Sequence, residues 1–128
     1  MVIVWYGEKR EGIMKSLLER NQRLLDKIHD VTDEIWENQG GNNRKIIECI
    51  KEINVVLQEF IQRIEEFRQY GVDIPEQVIL EQMRNLMSGF ESKDSVLLAD
   101  TMDYEITNTI LFYNDILTEL EKEQESSS

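Results

Sequence analysis

The chain is 128 residues long and carries 14 basic against 26 acidic side chains, a net charge of −12. That length fits one domain able to bury roughly two thirds of its unfolded surface without staples, and the negative field disfavours nucleic-acid binding by repelling phosphate backbones. No run of 18 apolar residues is present, so no membrane span is expected, and the single cysteine, Cys49, excludes an internal disulfide and suits a reducing cytoplasm.

The opening Met1 to Tyr6, MVIVWY, is too short for the apolar region of a signal peptide and lacks a basic start and a small-residue cleavage site. It reads as an extra strand, as a hydrophobic arm, or as upstream sequence. For the last reading, Lys9 to Met14 can be encoded by purine-rich codons that resemble a bacterial ribosome-binding site ahead of a true start at Met14. The domain boundaries that follow are an N-terminal segment 1–13, one helical domain 14–122, and a disordered acidic and serine-rich tail 123–128.

The first helix is expected over Ile13 to Glu37, where Met14, Leu17, Leu24, Leu25, Ile28, Val31, Ile35 and Trp36 fall on one broad arc without Gly or Pro. Asn21 lies within that arc and is expected to set register through one buried hydrogen bond. The stretch NQGGNN, residues 38–43, supplies positive φ angles for a left-handed cap and a chain reversal. It lacks the preceding strand and the Lys-Ser/Thr pair of a phosphate loop.

A second helix is expected over Asn43 to Tyr70, with the widest apolar arc of the chain: Ile46, Cys49, Ile50, Ile53, Val56, Leu57, Phe60, Ile61, Ile64 and Phe67. These recur at three and four rather than alternating, which selects helix over strand despite the β-branched content. Gly71 then caps this helix, and Pro75 with Glu76 opens a short third one, Pro75 to Phe90, whose apolar side is Ile79, Met83, Leu86, Met87 and Phe90. Ser88 to Asp94 is read as the next turn, made by Gly89, with Ser or Asp capping the last helix.

That last helix, Asp94 to Lys122, carries two apolar faces. At 100° per residue, Ala99, Met102, Ile106, Ile110, Tyr113, Leu117 and Leu120 form a core stripe, and Leu97, Tyr104 and Leu111 a second one nearly opposite. Asp100 and Asp103, with Glu105 beside Tyr104, rim the second stripe. It is read as a contact face or as the seat of the short helix. Matched lengths of on the order of 35 to 45 Å for the three long helices favour bundling. The expected fold is all-α: an antiparallel up-and-down bundle of three long helices plus one short helix.

Residues with chemistry are sparse. His29, the only histidine, lies in the run Asp26, His29, Asp30, Asp33, whereas di-iron bundles use a Glu-x-x-His pair on each of two helices. Cys49 sits at helical spacing among Ile46, Ile50 and Ile53, which reads as core. There is no Gly-rich dinucleotide loop, Cys or His pair, or nucleophile turn. No catalytic residue, cofactor or metal is therefore expected.

Arg23 and His29, separated by five residues, resemble the Arg-x(4 to 6)-His motif of HEPN ribonucleases, small all-α domains; Leu24 departs from the polar residue that family prefers after the arginine. In size, charge and helicity the chain is similar to flagellar and other type III export chaperones. The function expected is a non-catalytic cytoplasmic protein-interaction module. Its groove, lined by Met83, Met87, Leu97 and Tyr104, would accept a client helix, with Leu111, Asp100 and Asp103 completing the face. A structural homodimer through Leu97, Tyr104 and Leu111 is the alternative, and a HEPN-like ribonuclease the third reading.

Overall fold

The computed structural model describes residues 6–38 and 42–127, and all their regular structure is helical. In chain order the elements are α1 (Tyr6–Asn38), α2 (Asn43–Gln62), α3 (Ile64–Arg68), α4 (Glu76–Glu91), α5 (Ser95–Asp100), a π-helical turn (Thr101–Ile106) and α6 (Thr107–Ser127). Among the described residues, no helix is long and apolar enough to cross a membrane. The opening residues 1–5, read as strand or arm, lie outside the described residues, as do 39–41 in the glycine-rich break.

α1 starts at Tyr6, seven residues ahead of the expected Ile13, because nothing in residues 6–13 opposes helix propagation except Gly12. It buries Met14, Leu24, Ile28, Val31 and Ile35. Trp36, placed on the same arc by periodicity, is instead 48% exposed; it lies 100° round from the buried Ile35, at the outer edge of the stripe. α2 runs antiparallel to α1, as the ion pairs Arg20 with Glu59, Lys27 with Glu52 and Glu34 with Lys45 require. The Asn42 side chain caps α2 by accepting from the amides of Arg44 and Lys45.

The second helix is not continuous. It breaks at Arg63, whose amide is shared between the carbonyls of Glu59 and Phe60, and resumes as α3. The break keeps Ile64 and Phe67 buried, in line with the apolar arc. It also lets Phe60 stack on Tyr113 of α6, with ring centroids 4.5 Å apart and planes 9° from parallel, while Phe67 packs obliquely on the same ring at 6.1 Å.

Two left-handed caps end α3 and α4. Gly71, at φ 82°, closes α3 as expected, its amide donating to Arg68 and that of Val72 reaching back to Phe67, the Schellman pattern. The same pattern ends α4, but the left-handed residue there is Lys93, at φ 57°, with the Lys93 amide donating to Phe90 and the Asp94 amide to Gly89. The residue expected to make this turn is Gly89, which is not the left-handed one. Gly89 is helical and buried, and its role is close approach: a Cβ built on it meets the backbone nitrogen of Leu98 at 3.1 Å and its Cα at 3.3 Å. Asp94 then caps α5 by accepting from the Leu97 amide at 3.0 Å.

α4 is thereby clamped against α5 and the π turn, and it also touches α2. It buries Ile79, Gln82 and Leu86, and Gln82 accepts from the Thr109 hydroxyl of α6 at 2.6 Å. The short helix is thus part of the core. At the other end, α6 continues to Ser127, past the expected end at Lys122.

Candidate functional site: the outer face of the closing helix

All seven residues of the expected core stripe are buried: Ala99, Met102, Ile106, Ile110, Tyr113, Leu117 and Leu120. The second stripe divides. Leu97 is half-buried and its Cγ lies 3.4 Å from the Cβ position built on Gly89, so it packs toward α4. Tyr104 is 74% exposed and Leu111 44% exposed. Leu97 is covered because α4 comes against α5 at Gly89, whereas Tyr104 lies in a π-helical turn over Thr101–Ile106 with its ring in solvent. The core stripe nevertheless runs through this turn, with Ala99 buried before it and Ile110, Tyr113, Leu117 and Leu120 buried after it. The Thr107 hydroxyl donates to the Met102 carbonyl five residues back, at 3.0 Å, spanning the end of this turn.

The remaining expected contact residues follow the same division. Asp100 and Asp103 are exposed, Met87 is at the edge of exposure, and Met83 is half-buried against the core. Met83 and Leu97 are half-buried in the packing, whereas Met87 and Tyr104 reach solvent. The helical clock also missed Phe112, 40% exposed, which meets Phe60 edge-on at 6.1 Å. What the outer face offers chemically is an aromatic ring and an aliphatic side chain at a two-turn spacing, with carboxylates at the upper end.

A polar cluster crosses the interior behind this face. Asn21 is fully buried, as expected of a register-setting residue, and its amide donates to the Asn114 side-chain oxygen at 2.8 Å, which ties α1 to α6. Arg20 donates to the Asn21 oxygen at 2.9 Å and pairs with Glu59, which Arg63 also approaches at 3.8 Å. Beside them the Tyr113 hydroxyl is buried without a hydrogen-bond partner, and burial pushes its pKa above the ordinary tyrosine value. One step along the same interface, the hydrogen bond to Glu52 holds Lys27 above the ordinary lysine value.

His29 is exposed and its Nε2 lies 3.4 Å from Asp33. No group of three or more His, Cys, Asp or Glu among the described residues is arranged to hold a metal ion. Arg23 lines a groove between α1 and α2, and His29 is not on that groove. Cys49 is fully buried, and burial pushes its thiol up to about 12, with Glu52 adding to the effect.

No family model, curated protein or solved structure matches this chain.

Proposed function

We propose that this protein is a non-catalytic interaction module whose closing helix receives an amphipathic helix from a protein partner at Tyr104 and Leu111. The observation that carries this reading is Tyr104: a large aromatic side chain 74% exposed on a π-helical turn. Such turns are rare and occur frequently at functional sites, and an exposed aromatic is among the side chains enriched where interfaces form. The net charge of −12, with Asp100 and Asp103 exposed near the ring, favours a basic partner helix. Its Lys or Arg groups would pair with the carboxylates and stack on the ring. The antiparallel ion pairs of α1 and α2 support the finer reading of the fold as an up-and-down bundle. An export-chaperone-like role in the cytoplasm is the setting this reading suits best.

The test is a photo-crosslinking amino acid at position 104 in the native host, compared with the same group at exposed Gln69. A discrete adduct with another protein, formed from position 104 and lost on Leu111→Glu, is the expected result. An adduct with a second copy of this chain, accompanied by a dimer that survives dilution in light scattering, would replace the client reading with the homodimer. Indistinguishable adducts from positions 104 and 69 would refute the assignment of this face.

A further inference from the structure

The register of α1 against α2 leaves one cation without its carboxylate. Arg20 pairs with Glu59 and Lys27 with Glu52, so cations seven residues apart on α1 meet acids seven residues apart on α2. Arg23 stands between them, three residues past Arg20 and four before Lys27, the spacing that aligns side chains along one helix stripe. The antiparallel register sets Val55 and Val56 opposite Arg23, where a third acid would complete the series. Arg23 is exposed and makes no ion pair among the described residues, although Glu19 and Asp26 lie within about a turn of it on α1.

These residues enclose a groove of about 420 Å³, with Arg20, Arg23 and Lys27 on one side and Leu24, Val55 and Val56 supplying apolar surface. That volume lies within the range of small-molecule sites. Val55 is 60% exposed, an aliphatic side chain wetted beside an unpaired guanidinium. Glu59 and Glu52 pair with Arg20 and Lys27, so Arg23 is the cation lining this groove that has no carboxylate in contact, in a chain whose net charge is −12.

We propose that this groove binds a small anionic amphiphile: a singly charged carboxylate or sulfonate whose head pairs with Arg23 and whose short apolar body covers Val55 and Leu24. A guanidinium takes such a head through two parallel hydrogen bonds, a geometry that neither flanking cation has free to offer. The field of the whole chain selects for low charge. A polyanion gathers repulsion from Glu52 on the groove and from the acidic surface beyond it, whereas a monoanion spends its one charge in contact with Arg23 and meets the remoter acids through a Debye length of about 8 Å at physiological salt. This site is separate from the closing-helix face and stands or falls independently of it.

The experiment titrates the full chain with 1-anilinonaphthalene-8-sulfonate, a sulfonate on an aromatic body, and follows its fluorescence at physiological salt with octanoate as competitor. Saturable binding of one probe per chain is expected, displaced by octanoate and weakened about tenfold or more by Arg23→Glu. Val55→Glu supplies the missing carboxylate from within the chain and should block the probe without lowering Tm. This second variant decides the matter if Arg23→Glu fails to fold. Three results overturn the proposal: no saturation, equal binding by wild type, Arg23→Glu and Val55→Glu, or loss of the probe on Tyr104→Ala instead. Displacement by inorganic phosphate as readily as by octanoate overturns the apolar half of the assignment.

Discussion

The same substitution, glycine to alanine, should change stability in opposite directions at Gly12 and Gly89. Inside a helix the exchange gains about 1 kcal/mol, because alanine has less backbone freedom to lose on folding. At Gly12, exposed in α1, an added Cβ meets nothing within 4 Å. Gly12→Ala should keep most of that gain, about 0.5 to 1 kcal/mol. At Gly89 the added Cβ lies 3.1 Å from the nitrogen and 3.3 Å from the Cα of Leu98. Both are backbone atoms of α5, so relief requires shifting a helix rather than rotating a side chain, and overpacking of this kind costs about 1 to 3 kcal/mol. The balance for Gly89→Ala is a net loss of about 1 kcal/mol, or a Tm lower by roughly 4 °C in a domain of this size. Gly89→Val should lose more. Urea unfolding followed by circular dichroism, with thermal melts on both variants, measures the difference. If Gly89→Ala gains stability as Gly12→Ala does, then α4 and α5 are not in contact at this point and the account of Gly89 is wrong.

Lys93 holds a left-handed φ of 57°, so Lys93→Gly should raise stability by about 0.5 to 1 kcal/mol, read as a higher urea midpoint. The buried Tyr113 hydroxyl has no hydrogen-bond partner. Tyr113→Phe keeps the ring stack and should leave stability unchanged or higher; a loss above about 1 kcal/mol would show that the hydroxyl is held, with Glu59 the nearest candidate. Asn21→Ala and Asn114→Ala should each destabilise, with a coupling of about 1 kcal/mol in the double-mutant cycle. Cys49 links stability to alkaline pH. Its thiol is raised to about 12 in the fold, so above its ordinary pKa the unfolded chain loses a proton that the folded chain keeps. Stability from this group is complete below pH 9 and falls by about 1.4 kcal/mol per unit as pH rises from there toward 12. Cys49→Ala should flatten that limb, and alkylation of the native thiol at pH 8 should be slower than in the unfolded chain.

Patterns that repeat every three or four residues were legible without coordinates, because burial of an amphipathic stripe depends on local spacing alone. The core stripe of the closing helix, the arc of α2 and the inward-facing Asn21 follow from that spacing; the Gly71 cap and a Ser or Asp cap before the last helix follow from residue type, and the structure selects Asp94. Asn21 was visible as a polar residue on an apolar arc, although Asn114, its partner 93 residues on, was not. Of the outer face, periodicity places Leu97, Tyr104 and Leu111 opposite the core stripe but leaves open whether the short helix covers them; the packing of α4 covers Leu97 and leaves Tyr104 and Leu111 exposed.

What the tertiary structure decided depended on where separate elements meet. The π turn at Thr101–Ile106 interrupts a helix whose local sequence favours continuity, and the approach of α4 at Gly89 takes Leu97 into the packing while Tyr104 stays in solvent. Gly89 looks like a turn residue in isolation; the backbone of α5 makes it a contact residue, and the left-handed geometry passes to Lys93. The break at Arg63 is likewise visible only beside the aromatic ring of Tyr113 that Phe60 and Phe67 both reach. The unpaired Arg23 becomes informative only when α2 is set in register against α1, because an ion-pair series belongs to two helices and has no period in either one alone. Local sequence sets which residues are driven inward; only packing sets the phase, the close approaches and the partners across them.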